Sequence, residues 1–311
     1  MIECSPADVA EGWHNDGPPP EWFAEPVAAI DTTVTDIPVI DIKGYRSVSQ
    51  LTSYLSCAES YRLSRIAKAP RKPAAWLMQG IAFHSAIEFW EKEDRKPDID
   101  MVHAVYCDSW DDEQAKVSHI AWDQWLTGTP KRNGKADIEQ RHPKGLQQVS
   151  DYMEWAESEK DKWRILTLPN GEKGLEQRFE MDLGVPGNLV RIIGYIDQMV
   201  EYSNGAIRPR DLKTGTKLPD WTVQLGVYSM AMRKCFGIDN VWVGDYYMAK
   251  NKNVTKPYDL RMFSDTYVTD WFHTLNDAID REIFLPNPGS MCNVCDVWQW
   301  CSAVGPNRGE Y

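Results

Sequence analysis

Apolar positions recur at helical spacing through the first half of the chain. They change to a spacing of two near Gly174. Over residues 49–67, Leu51, Tyr54, Leu55, Ala58, Tyr61 and Leu63 fall close to helical spacing, so a helix is expected with Cys57 inside it. A second helix is expected over 76–93, made apolar by Ile81, Phe83, Ile87, Phe89 and Trp90. His84 and Glu88, four residues apart, share one of its faces. Residues 100–165 read as helical, interrupted over 128–145 by a loop that contains Gly and Pro and carries Lys131, Arg132, Lys135, Arg141, His142 and Lys144. Beyond Gly174, residues 175–183, 189–202 and 206–212 read as strands, the last two joined by the tight turn Ser203-Asn204-Gly205. Residues 222–236 form an amphipathic helical pattern, 241–249 and 254–263 a further strand pair, and 266–283 a last helix.

The first 44 residues hold Pro18-Pro19-Pro20 and little periodicity, and read as an extended arm. The organisation expected is therefore an arm at 1–44, a helical region at 45–170 carrying Cys57 and His84, a mixed core at 171–285, and a cysteine-containing segment at 286–311. No internal repeat is visible.

Composition narrows the class without naming the chemistry. A length of 311 residues and 42% hydrophobic content suit an ordinary globular chain of one large or two modest domains. No apolar run of membrane-spanning length is present, and the first 30 residues carry no basic and apolar leader pattern, so a cytoplasmic protein is expected. A net charge of −12 argues against a general binder of polyanions. It leaves room for a local basic groove, and the 128–145 stretch is either a solvated charge run or a phosphate contact. Seven cysteines, an odd number, point to metal ligation by a spaced subset rather than to disulfides. Cys292-Asn-Val-Cys295 followed by Cys301 supplies three thiolates, a pattern suited to zinc or to an iron–sulfur centre. Cys107 and Cys235 read as small buried apolar residues, and Cys4 as part of the arm. Most of the fourteen tryptophans serve packing; a few are available for stacking on bases.

The chemistry concentrates between Arg191 and Tyr228. The order is Gly194-Tyr-Ile-Asp197, then Asp211-Leu-Lys213-Thr-Gly215, then Gln224-Leu-Gly-Val-Tyr228. In a hairpin, Asp197 and Asp211 come side by side at the open end of a sheet, and Asp211 and Lys213 project to one face. Two close carboxylates repel unless a cation lies between them, and Mg²⁺ takes one or two carboxylates with waters and substrate phosphate. Lys213 then serves to orient or deprotonate a water, or to stabilise charge on the phosphate. The plainer alternative is a surface hairpin with ordinary Asp and Lys, which an isolated Asp-x-Lys would not exclude.

The ordered set resembles the PD-(D/E)xK nucleases of the RecB and AddB type, including the CRISPR-associated four-cysteine exonucleases. It covers about residues 45–305. The resemblance implies a restriction-endonuclease-like α/β fold: a mixed central sheet flanked by helices, with a helical N-terminal region and an Fe–S-stapled C-terminus. It implies that His84, Asp197, Asp211 and the backbone carbonyl of Leu212 bind Mg²⁺ or Mn²⁺, that Lys213 serves the nucleophilic water, and that Glu176, Gln224 and Tyr228 complete the site. Glu180, four residues further along the same strand, is the alternative to Glu176. The family also places one cysteine upstream of the histidine, which makes Cys57 the fourth partner of Cys292, Cys295 and Cys301 in a [4Fe–4S] cluster. Four thiolates also suit Zn²⁺.

The function expected is metal-dependent hydrolysis of DNA, exonucleolytic on single-stranded or frayed ends, in recombination, repair or end processing. No Gly-x₄-Gly-Lys-Ser/Thr loop is present, so any helicase or recombination motor is a separate partner. Related enzymes form closed rings, so a homo-oligomer is compatible with the resemblance. No membrane partner is expected. The alternatives are a non-catalytic Fe–S DNA-binding protein and a zinc-stapled structural adaptor.

Overall fold

The structure, a computed structural model, describes residues 45–127, 133–185, 188–219 and 221–305. The expected arm with Cys4, and Lys131 and Arg132 of the basic stretch, lie outside the described residues. The first helix, α1 (Val48–Ser56), is capped by Ser47, whose hydroxyl accepts the Gln50 amide at 3.2 Å. The helix expected over 49–67 is not continuous. Cys57 adopts extended backbone, and its sulfur accepts the Ser60 amide at the start of a new turn, Ala58–Tyr61, which widens into a π turn over Arg62–Ile66. Apolar spacing is helical on both sides, so the pattern carries no sign of the break.

The helix α2 (Ala75–Lys92) buries Ala75, Met78, Ala82, Phe83, Ala86, Ile87 and Trp90 at steps of one, three and four. Its other edge, with Leu77, Ile81, His84 and Glu88, stays accessible. Both α3 (Ile99–Lys116) and α4 (Gly134–Ser158) pack on it. The loop expected over 128–145 is corrected here: from Gly134 onward it is helix, and Lys135, Arg141, His142 and Lys144 are helical residues. Its apparent breakers have packing reasons. A Cβ at Gly134 would collide with Trp125, and one at Gly145 would overlap Tyr106. Pro143 costs α4 one amide hydrogen bond, which the surrounding packing absorbs. His142 is buried between Trp110 and Tyr106, and burial lowers its pKa.

Seven strands form one mixed sheet among the described residues: β1 (Trp163–Ile165), β2 (Leu175–Val185), β3 (Asn188–Tyr202), β4 (Ile207–Lys213), β5 (Val243–Met248), β6 (Asn253–Val254) and β7 (Tyr258–Asp259). The long strand β3 pairs antiparallel with β1, β2 and β4. The pairing of β4 with β5 is parallel, and α5 (Val223–Phe236) makes the crossover that parallel neighbours require. It ends at Gly237, whose φ of +67° is the left-handed stop that glycine permits. The strand expected over 254–263 shrinks to the two-residue pieces β6 and β7.

The last helix, α6 (Asp265–Asp280), joins α1 and α5 over one core, which contains Leu51, Ile192, Ile196, Leu225 and Phe272. On the opposite side, α2, α3 and α4 share a second core with Leu212 and Tyr247 of the sheet. Helices thus cover both faces of a mixed sheet, the layered α/β arrangement of a restriction-endonuclease-like fold. Cys107 is buried as expected, but it is disulfide-bonded rather than a free small apolar residue, which corrects the expectation of no disulfide. Cys235 is exposed, because the last turn of α5 has left the core behind. None of the described helices is long and apolar enough to cross a membrane.

Candidate active site

The register of β2, β3 and β4 brings one carboxylate from each strand into a row. The pairs Leu175↔Gln198 and Gln177↔Ile196 set Glu176 opposite Asp197. The pair Gln198↔Arg210 sets Asp211 beside Asp197 at the next position, where the ladder ends. Two backbone departures accompany the row. Strand residues three apart ordinarily face opposite sides, yet Ile196 and Met199 enter the same core while Val200 enters the other. The alternation of β3 therefore breaks around Asp197, whose Oδ2 accepts the Leu212 amide at 2.9 Å. Glu176 holds φ at +44°, a left-handed conformation unusual for a residue with a side chain.

His84 reaches onto the row from the accessible edge of α2. Its Nδ1 donates to Glu176 Oε1 at 3.1 Å and lies 3.7 Å from Asp197 Oδ2, and its Nε2 donates to the Leu212 carbonyl at 3.1 Å. Both nitrogens act as donors, which requires the imidazolium. Burial alone would favour the neutral ring, but Asp197, Glu176 and Asp211 outweigh it and raise the pKa to about 9. Burial and then the neighbouring Asp197 push Asp211 up to about 7, against the pull of Lys213. Burial opposes the charge on Lys213, but Asp211, 2.6 Å away, overrides it and raises the pKa. Lys213 is accordingly an ammonium. It donates to Gln224 Oε1 at 3.1 Å, Gln224 Nε2 donates to the Tyr228 hydroxyl at 2.8 Å, and that hydroxyl faces Asp197 Oδ1 at 3.5 Å. Gln224 and Tyr228, one turn apart on α5, close a circuit from Lys213 back to Asp197.

The residues expected from sequence thus converge, with one rearrangement. The donor atoms of His84, Glu176 and Asp197 lie within 4.8 Å of one another, whereas Asp211 stands outside that group, turned to Lys213. Two carboxylates and an imidazole are a donor set that fits a divalent cation such as Mg²⁺ or Mn²⁺. Glu180 is not part of the assembly; it pairs with Arg178 and Arg191 in solvent. The sequence reading missed the walls of the cleft above the row, an open space of about 790 Å³ lined by Trp76, Leu77, Ile81, Tyr195 and Thr214. The signal was present: Leu77, Ile81, His84 and Glu88 follow helical spacing along one edge of α2. A buried polar chain supports the cleft. Gln148 donates to the Thr214 carbonyl at 3.1 Å, Gln79 donates to Gln148 at 2.7 Å, and Arg141 donates to Gln79 at 3.1 Å, with its guanidinium 5.4 Å from the centre of the Trp76 ring.

Cys57, Cys292, Cys295 and Cys301 line one pocket of about 20 Å³, and none of them is in a disulfide. Ser60 and Asn287 amides point at Cys57 Sγ, and the Gly289 amide at Cys292 Sγ, each at 3.4 Å.

Two phage proteins are similar to this chain. The Gene 69 protein of Mycobacterium phage D29 is 37% identical, over 82% of this chain and 96% of its own length. The Gene 69 protein of Mycobacterium phage L5 is 33% identical, over 82% of this chain and 95% of its own. The crystal structure of SSO0001 aligns over 82% of this chain and 95% of that one, at 12% identity and a TM-score of 0.31, too slight a likeness to bear on fold or function. The family model of the PD-(D/E)XK nuclease superfamily matches residues 45–302, a span that takes in His84, the three-strand carboxylate row and Lys213. A histidine, three acids and a lysine are gathered at the end of a mixed sheet within that span, and the chain belongs to the PD-(D/E)XK nuclease superfamily.

Proposed function

We propose that the protein is a Mg²⁺- or Mn²⁺-dependent deoxyribonuclease that acts exonucleolytically on single-stranded or frayed DNA ends, in recombination, repair or end processing. The observation that carries this reading is the meeting of Glu176, Asp197 and Asp211 across three adjacent strands with His84 above them and Lys213 beside them. His84, Glu176 and Asp197 would hold the metal, with Asp211 and the Leu212 carbonyl next to them. The bound metal would polarise the scissile phosphate and lower the pKa of a water. Lys213, positioned through Gln224, donates its N–H groups toward the water and the charge that builds on phosphate oxygen. Tyr228 braces Asp197 and Gln224. A non-catalytic DNA-binding protein would have no use for this buried set of ionised groups.

The four cysteines support assignment to the RecB/AddB-like branch and the four-cysteine exonucleases, with a [4Fe–4S] cluster. A zinc ion, with Zn–S near 2.3 Å, draws tetrahedral sulfurs to about 3.8 Å apart. Four thiolates suit either centre, and the choice of [4Fe–4S] rests on the resemblance. Amide donors to two of the sulfurs favour thiolates as well.

The test is cleavage of end-labelled single- and double-stranded DNA by anaerobically purified protein with Mg²⁺, Mn²⁺ or EDTA. Metal-dependent shortening from one end is the expected result. Binding without product, in protein whose absorbance shows an intact cluster, would move the protein to the non-catalytic class.

A further inference from the structure

Two hollows meet at the first turn of α2. Trp76 and Leu77 wall the cleft over His84 and Glu176, and the same two residues wall a second groove of about 340 Å³ between the start of α2 and the cysteine segment. The two hollows differ in charge. Glu88, Glu176 and His84 line the first, while Arg71, Lys72 and Asp296 line the second, together with Cys57, Cys292 and Cys295. The Arg71 side chain is 52% exposed, with Nε on Asp296 at 2.5 Å, and Lys72 Nζ donates to the Gln124 carbonyl at 3.2 Å. The groove is braced on both sides. The Trp300 indole donates to the Pro70 carbonyl at 3.0 Å, and the Lys72 amide donates to the Asp296 carbonyl at 2.9 Å.

We propose that single-stranded DNA held at the carboxylate row continues over Leu77 and Trp76 into this second groove, with a base against the Trp76 indole and phosphates beside Arg71 and Lys72. This path presupposes the deoxyribonuclease reading and adds the course of the strand beyond the scissile phosphate. An unpaired strand offers flat apolar bases and a charged backbone, and it binds where aromatic surface alternates with cations. Trp76 followed by Arg71 and Lys72 is that sequence of surfaces, directly continuous with the site of cleavage. Because the groove's walls are hydrogen-bonded to each other, little ordering is left for the substrate to impose.

The experiment compares kcat/KM with Mg²⁺ for thymidine oligonucleotides of about 5 and about 15 nucleotides, lengths that fall below and above the span of one strand-binding surface. The full chain is expected to favour the longer by about tenfold, the value of one stacked base. Trp76→Ala, and separately the pair Arg71→Glu and Lys72→Glu, should reduce that preference to about twofold or less. Trp76→Phe should keep most of it, which separates stacking from a packing defect. A wild-type chain without length preference, or variants that retain it in full, would overturn the path while leaving the nuclease reading intact. A Phe variant as impaired as the Ala variant counts against stacking. Equal sensitivity of a blunt duplex to these substitutions counts against a single-strand groove. No cleavage of either length by the wild type removes the underlying reading and the path with it.

Discussion

At Glu176 backbone preference and site chemistry oppose each other. A residue with a side chain at φ +44° carries a cost on the order of 1 kcal/mol, and here it places the carboxylate on His84. Glycine removes that cost. Glu176→Gly is therefore expected to unfold at higher denaturant than Glu176→Ala, by about 1 kcal/mol, although both should lack cleavage. Identical midpoints would mean that no strain is stored there. Asp211→Ala should lower cleavage by at least about a hundredfold with the circular dichroism unchanged, and retained activity would remove Asp211 from the site. The same cluster sets a pH dependence. Protonated His84 and Asp211 are favoured by the fold, so their contribution is complete below their unfolded pKa values and is lost as pH rises through about 7 for Asp211 and about 9 for His84. Metal-free protein should lose thermal stability from about pH 6 to about pH 8.5, and Mg²⁺ should restore more at the upper value, because ligands must be deprotonated to bind. Melting curves with and without Mg²⁺ check both; a metal effect that shrinks with pH would contradict it. Most of these residues were legible from their order along the chain. The strain at Glu176 was not, because backbone torsion leaves no mark on residue type unless glycine is used.

Elements were legible where period and length agreed. The period of two marked β2, β3 and β4, and the Ala- and Phe-rich run marked α2 to within a residue of each end. The reading failed where tertiary packing overrides local preference. Gly134, Pro143 and Gly145 look like a loop in sequence, yet the two glycines are small because Trp125 and Tyr106 lie against them. Gly145→Ala should consequently destabilise the fold by about 1–3 kcal/mol despite the better helix propensity of alanine, as read by chemical denaturation. Stabilisation instead would mean that Tyr106 moves aside freely. The break of α1 at Cys57 escaped for a related reason: the backbone turns extended there while the apolar spacing continues on both sides.

For the whole molecule, the cysteine set joins the first described helices to the last segment. Ser60 already contacts Cys295 across 235 positions of sequence. A shared cluster, as proposed, would tie ends so far apart and restrict the unfolded chain strongly, so Cys57→Ser should lower the melting temperature and the absorbance at about 400 nm together. Loss of neither would deny the four residues a shared centre. The layered fold was legible as a whole from the change of period near Gly174. The cleft between α2 and the sheet was not, since it depends on which edge of α2 the second core leaves uncovered. The distance between Cys57 and Cys292 also has a meaning in time. A ribosome adding about 5–20 residues per second needs roughly 10–50 s to travel from one to the other. Under the proposed four-cysteine centre, the Cys57 thiol would wait through that interval without its partners, and the nascent chain would depend on surroundings reducing enough to keep it unoxidised until the last segment emerges.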